Sequence, residues 1–310
     1  MKPTPIIIDC DPGVDDAMAI MMAASFDELD IKAICSVSGN VELKYTTHNA
    51  RLVAGLLGLT CPVASGADHP LIKERKTASK THGVDGFGGN AVFFDESRLV
   101  PLYSTDAVGL MAKLLRESPE KMTIVAIGPL TNIATLLVCY PELKGRIEKF
   151  SIMGGSLYDG NVTANAEFNF WVDPHAARIV FDSGVPIIMA GLDVTLQAYL
   201  TPEDIERMRG VGGELAQTAA NILAAYAAED SALHDPVSIF ALTRVDMMGM
   251  KAMHVGVEAK SGSCEAMSYT DIRKKGHLPE NCQVILEIDR KRFIDEIVAG
   301  LRRLKAKTSA

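Results

Sequence analysis

The sequence predicts an α/β protein with an open, mainly parallel central sheet and helices on both faces. Three observations lead there. Short, largely apolar runs recur at residues 6–8, 31–37, 122–127, 150–153 and 185–190, as expected of strands buried on both sides. Stretches with apolar residues at helical spacing lie between them, so strands alternate with helices. The runs close on turn-forming residues, such as Pro12 and Gly13, Gly39 and Asn40, Gly128 and Pro129, Gly154 and Gly155, and Gly191. A chain of 310 residues with 48% hydrophobic content can bury a sizeable core, and with no shift in composition along it a single domain, 1–310, is expected.

The net charge of −8 argues against a general nucleic-acid binder, which needs clustered Lys and Arg to neutralise phosphates. The six cysteines are scattered without a CxxC pair, and no basic, signal-length apolar segment opens the chain, so a reduced, cytoplasmic protein is expected. No apolar stretch nears the roughly 20 residues of a membrane span. Internal repeats and low-complexity tracts are absent from the sequence.

The first strand, 6–8, runs into Asp9, Asp11, Asp15 and Asp16, four carboxylates within eight positions. Left unpaired they would repel one another, and a hard divalent cation such as Ca2+ or Mg2+ prefers such oxygen ligands. Pro12 and Gly13 turn the chain into a helix that begins near Asp15. Capping of that helix is the alternative, but it accounts for one or two acids rather than four. The strand at 31–37 closes on Asn40, either a turn residue or a neighbour of the acids, and an amphipathic helix follows at 43–59. The glycine-rich loop 81–89 lacks the Lys and the strand-turn-helix setting of a phosphate cradle. It reads as a mobile flap carrying His82 and Asp85, with a merely solvent-exposed His as the alternative.

A helix at 105–118 starts from Ser104 or Thr105, and the strand at 122–127 leads through Gly128 and Pro129 into a helix at 130–140. After the strand ending at Met153, a polar loop reaches Asn161. Polar and apolar residues then alternate along Glu167, Phe168, Asn169, Phe170 and Trp171, which predicts an extended segment with Glu167 and Asn169 on one face and the Phe rings on the other. A carboxylate beside an amide can hold vicinal sugar hydroxyls; a solvated polar face is the alternative. Asp173 and Pro174 open the next helix, Thr201 to Asp204 form a capping box, and an Ala-rich helix at 213–229 carries Tyr226, a stacking group or a packing one. At His234, Asp235 and Pro236, Asp235 reads either as the cap of a helix through Leu242 or as part of a site. The strands at 254–259 and 283–288 and the basic closing helix to Lys305 carry no identifiable chemistry.

Asp9, Asp11, Pro12, Gly13, Asp15 and Asp16 match a DxDPGxDD pattern, and with His82 to Gly86, Gly160 and Asn161, Ala166 to Asn169, and His234 and Asp235 in order, the chain resembles the inosine-uridine-preferring nucleoside hydrolases from residue 6 to about 242. The resemblance implies a Rossmann-like fold and Ca2+-dependent hydrolysis of ribonucleosides to ribose and a free purine or pyrimidine base. It implies a Ca2+ ion held by Asp11, Asp16, Asp235 and the carbonyl of Ile127, with Asp11 taking the proton of a water. His234 would protonate the departing base. Asp15, Asn40, Met153, Asn161, Glu167 and Asn169 would contact the substrate, His82 and Tyr226 would lie near its base, and Asp9 would orient its neighbours. A homodimer or homotetramer is expected on the same basis. Ala164 and Asn165 stand where the family often has Pro and an apolar residue, and the segment before His234 is shorter, which bears on base preference. Two other readings fit parts of the pattern: a Mg2+-dependent phosphatase of the DxD type, disfavoured by the Pro12-Gly13 turn and the lack of a placed Lys, and a non-catalytic nucleoside-binding protein.

Overall fold

The computed structural model describes residues 2–273 and 278–308. Among the described residues ten strands are present: β1 (Thr4–Cys10), β2 (Leu29–Ser36), β3 (Val63–Ser65), β4 (Met122–Ala126), β5 (Ile147–Met153), β6 (Ile187–Ala190), β7 (Met248–Met253), β8 (Val255–Val257), β9 (Ser268–Thr270) and β10 (Cys282–Ile288). Eight form one sheet in the order β3-β2-β1-β4-β5-β6-β10-β7. Every neighbouring pair in it is parallel except β10 and β7. β8 and β9 pair apart from it, so the strand expected at 254–259 is shorter and lies outside the main sheet.

Side-chain alternation divides the core. Ile6 and Ile8 of β1 join the cluster on one face, and Ile7 joins the other. At the centre of the first face lies helix Val14–Ser25, buried almost all round and packed against helices Leu43–Leu56, Glu214–Tyr226, Pro236–Thr243 and Arg290–Thr308. Small and unbranched residues suit that position: Ala17, Ala19 and Ala23 admit close neighbours, and Met18, Met21 and Met22 fill irregular gaps. Helices Ala107–Glu117, Thr131–Cys139 and Pro174–Phe181 contribute to the opposite cluster. The cap of Ala107–Glu117 is Asp106, which accepts from the Gly109 N–H, rather than Ser104 or Thr105. No described helix is long and apolar enough to cross a membrane.

The chain steps outward from β1 through β2 to β3, then returns to lay β4, β5 and β6 on the other side of β1. Strand order therefore reverses between β1 and β4, and the crevice beyond the carboxyl ends of such strands is where open α/β sheets bind ligands. The N–H of Ile127 donates to the carbonyl of Asp9 at 2.9 Å, which sets the acid-rich turn after β1 beside the glycine turn after β4.

Candidate active site

The end of β1 supplies the first carboxylates. Asp9 accepts a 2.8 Å bond from Asn132 Nδ2, while its Oδ2 is buried without a partner. Burial pushes its carboxyl up to about 7 against the opposing effect of Asn132. Asp11 Oδ2 accepts the Asn40 N–H at 2.6 Å, and Oδ1 has no partner. Gly39 and Gly128 flank that carboxylate so closely that a Cβ on either would collide with it, which explains glycine in both turns. Asp16 works locally and in the site: it accepts the N–H groups of Asp11 (3.0 Å) and Gly13 (2.9 Å) at the helix start and the Asn40 Nδ2 at 3.0 Å. Asp15 keeps a buried, unpartnered Oδ1 and is pushed up to about 7 by burial and by Asp16.

Asp235 completes the group. It precedes Pro236 but makes no capping bond; its backbone is helical, at φ −67° and ψ −40°, and its carboxylate lies against that of Asp16. Burial and then Asp15, Asp16 and Asp11 push its carboxyl well above the usual range. Oxygens of Asp15, Asp16 and Asp235 lie within 4.8 Å of one another. Of the expected ligands, Asp16 and Asp235 are brought together, and Asp15, expected on the sugar, stands with them; Asp11 adjoins this trio through its N–H bond to Asp16. The Ile127 carbonyl faces the same cavity and accepts from Asn169 Nδ2 at 3.1 Å. Among the described residues, no Lys or Arg forms an ion pair with any of these five buried aspartates. Orphaned carboxylate oxygens and an all-oxygen donor set suit a hard divalent cation.

A cavity of about 800 Å³ opens over the acids. On one side, residues 167–171 differ from the extended segment expected. They form the helix Phe168–Val172, because Glu167 caps it, accepting from Asn169 N at 2.8 Å and Phe170 N at 3.1 Å. The Phe rings then part: Phe170 is buried edge-on against Phe181, and Phe168 lines the cavity. Glu167 also takes the Gly155 N–H at 2.8 Å, so the loop after β5 is tied to the same carboxylate. Asn169 donates to Ile127 O and, at 3.3 Å, to Met153 O. Asn161 lies exposed on the cavity lip.

On the other side, His82 is buried at the end of the short helix Ser79–His82, not exposed, with its ring 5.2 Å from that of Tyr226. Burial, reinforced by His234, brings its imidazole down to about 4, so it is neutral at pH 7. The loop after it is held rather than free: Asp85 accepts from Phe87 N and Gly89 N, and Asn49 bonds both the Asp85 and Pro12 carbonyls. Burial pushes the Tyr226 hydroxyl well up. His234 has both ring nitrogens engaged, Nδ1 with Thr195 Oγ1 at 2.8 Å and Nε2 with Asp230 Oδ2 at 3.1 Å. Burial would lower this imidazole, but the bond and charge of Asp230 hold it above its ordinary value.

Residues 6–295 match the family model described as inosine-uridine preferring nucleoside hydrolase. The chain belongs to this family. The pyrimidine-specific ribonucleoside hydrolase RihA of Salmonella arizonae is 41% identical over 308 residues, spanning 96% of this chain and 98% of the relative. The protein of the same name from Shigella flexneri is 42% identical over the same spans. Among solved structures, a purine-preferring ribonucleoside hydrolase from Gardnerella vaginalis superposes with a TM-score of 0.89 at 29% identity, covering 97% of this chain and 99% of that one. The plant nucleoside hydrolase PpNRh1 does so with the same TM-score and coverage at 30% identity. The reaction class is therefore hydrolysis of the N-glycosidic bond of ribonucleosides, which sets aside the phosphatase and non-catalytic readings.

Three residues of this nucleoside hydrolase site went unmarked in the sequence. Asn132 reaches Asp9 from 123 positions away, and Thr195 reaches His234 from 39, separations at which no local pattern signals contact. Asp230 lies four residues before His234, and that spacing was the one available signal.

Proposed function

We propose that this nucleoside hydrolase is Ca2+-dependent and prefers pyrimidine ribonucleosides. The observation that carries the metal is the set of buried carboxylates with orphaned oxygens on Asp9, Asp11 and Asp15. Asp15, Asp16 and Asp235 would hold the ion, with Asp11 and the Ile127 carbonyl beside them. When bound, such an ion lowers the pKa of a coordinated water and supplies the nucleophile.

The chain's own residues account for the remaining demands. Asp11, with one oxygen fixed by Asn40 and one free, is placed to take the proton of the attacking water. Asp15, Asn40, Met153, Asn161, Glu167 and Asn169 orient the ribose, using binding energy away from the reacting bond. Glu167 is held in place by three backbone N–H groups, so it is a rigidly oriented acceptor. Asp9 orients this end of the sheet through Asn132. His82 and Tyr226 form a wall for the base, and His234 gives it a proton as the C1′–N bond breaks.

Pyrimidine preference rests on the relatives: proteins named pyrimidine-specific are 41–42% identical to this chain, whereas the purine-preferring structure is 29% identical. The test is a panel of uridine, cytidine, inosine and adenosine with and without chelator, free base being separated by chromatography. Uridine and cytidine should turn over fastest, with chelation abolishing and Ca2+ restoring the reaction. Equal or faster purine release overturns the preference, and turnover insensitive to chelation overturns the metal. A cytoplasmic homodimer or homotetramer completes the proposal; all six cysteines are free, in keeping with a reducing compartment, and light scattering reads the assembly.

A further inference from the structure

We propose that Ser268, which lies outside the cavity, is a positioning residue for the sugar end of the site: it fixes the loop after β5 so that Gly155 can orient the Glu167 carboxylate. The inference rests on the reading of Glu167 as a ribose contact. No residue of β8 or β9 lines the cavity, yet Ser268, at the start of β9, reaches the loop beside it. Its Oγ donates to Ser156 O at 2.6 Å and accepts the Ser156 N–H at 2.8 Å, so one buried hydroxyl satisfies both backbone groups of that residue. The flanking residues are fastened too: Gly155 O accepts the Leu192 N–H at 2.9 Å, and the Asp193 carboxylate accepts the Leu157 N–H at 3.0 Å. Gly155 itself has φ +71°, and a Cβ on it would lie 2.6 Å from the Phe170 ring and 2.8 Å from Ser268 Oγ, so the turn is packed between the two. Two residues before Ser268, Ala266 is the only non-glycine with positive φ among the described residues, at +66°, and its N–H is held by Glu258 O at 2.7 Å. Such a backbone is disfavoured for a residue with a Cβ and persists where its surroundings impose it; here it shapes the turn that brings Ser268 to Ser156.

The three bonds on Glu167 do different work. The N–H groups of Asn169 and Phe170 belong to the helix that Glu167 caps, so they fix its carboxylate relative to that helix alone. The Gly155 N–H comes from another element and ties Oε2 to the end of the sheet at 2.8 Å. Removing the Ser268 hydroxyl leaves the buried N–H and carbonyl of Ser156 without their partner, and a peptide that turns to find another carries the adjoining Gly155 N–H away from Glu167. The bonds that hold Asp11 and Asp16 come from their own turn and from Asn40, so the effect is confined to the sugar end.

The test uses free ribose as a competitive inhibitor of uridine hydrolysis, which reads the sugar end apart from the chemistry. Ser268→Ala should raise the ribose inhibition constant and the uridine KM together, by about 5–10-fold, with kcat within about 3-fold of wild type. Glu167→Asp should raise both constants as well, because Asp is a favoured helix cap that keeps the bonds to Asn169 and Phe170 while its shorter side chain withdraws from Gly155 and the sugar. Adding Ser268→Ala to Glu167→Asp should then change the constants by less than about 2-fold, as expected of two residues on one route. If Ser268→Ala does not fold, Ser268→Cys replaces it: the thiol fills the same place with weaker bonds, and both constants should rise by about 2–5-fold. A serine variant that lowers only the unfolding midpoint and leaves both constants unchanged overturns the role of Ser268. So does a full further loss in the Glu167→Asp background, which places its effect elsewhere. Unchanged ribose inhibition in Glu167→Asp overturns the ribose-contact reading itself, and this inference with it.

Discussion

Replacing Asp235 by Asn separates the ion-binding reading from a purely structural one, because the two predict opposite signs. Asp235 is buried against Asp15 and Asp16, and among the described residues no Lys or Arg is paired to any of them, so without metal its charge opposes folding. Asp235→Asn is nearly isosteric and removes that charge, so in chelator its unfolding midpoint should equal or exceed the wild-type midpoint. With Ca2+ the order reverses. A ligand that binds only the folded state at about 100 times its Kd stabilises by about 2.7 kcal/mol. An unfolding entropy of roughly 2.1 cal/mol/K per residue, over 310 residues, gives about 0.65 kcal/mol/K, so the wild-type midpoint should rise by about 4 °C. The variant should lose most of that rise. Scanning calorimetry in chelator, then in stepwise Ca2+, measures both quantities. A wild-type midpoint that ignores millimolar Ca2+, or a variant that keeps the full Ca2+ response, would refute the reasoning.

Asp11→Ala should lower kcat by about 100-fold or more while leaving nucleoside binding measurable by calorimetry, since it removes a proton acceptor rather than a sugar contact; wild-type turnover would eliminate Asp11 as the base. Glu167→Gln replaces an acceptor of three backbone N–H bonds with a group that must turn an NH2 toward some of them, a loss of about 1–3 kcal/mol in stability together with a raised KM. Thermal denaturation and steady-state kinetics on uridine check the two effects. In chelator, stability should fall as pH rises from about 4 to about 7: the folded-state carboxyl of Asp9 stands at about 7 against 3.8 unfolded, so the folded chain holds a proton that the unfolded chain has already released. That one group accounts for about 4 kcal/mol across the window, and urea titrations at successive pH values should show the decline, with a flat profile counting against it.

The centre of the sheet was legible in the sequence and its margins were not, for a physical reason. β1, β4, β5 and β6 have neighbours on both sides and helices on both faces, which demands the apolar runs that announce them. β3 and β7 are the two edge strands and were not anticipated. β3 has only three residues, and β7, Met248–Met253, is half-exposed for most of its length and mixes Gly and Lys with Met. An edge strand has partners on one side only, so its sequence need not carry the pattern of a buried one.

Within the site, the residues that misled are those whose local preference gives way to a distant partner. The five-residue alternation from Glu167 to Trp171 reads as a strand because nothing in it reveals that Glu167 will accept three backbone N–H groups, one of them from Gly155; once it does, it caps a helix and the alternation loses its meaning. Asp235 before Pro236 reads as a cap because a capping Asp needs an extended backbone, the conformation that the residue before a proline ordinarily favours. Here the turn begins one residue earlier: Val237 N donates to His234 O at 3.3 Å and Ser238 N to Asp235 O at 3.0 Å, which makes Asp235 a first-turn residue and swings its carboxylate to Asp16. It thus gives up a capping bond and adopts a disfavoured backbone in order to stand beside like charges. A chain optimised for stability alone would do none of these, and departures from local rules gather where function requires them. Asp16, whose capping role and place among the acids coincide, shows why the amino-terminal half of the cluster could be read from its local pattern, whereas Asp235 entered the expected ligand set only through the family resemblance.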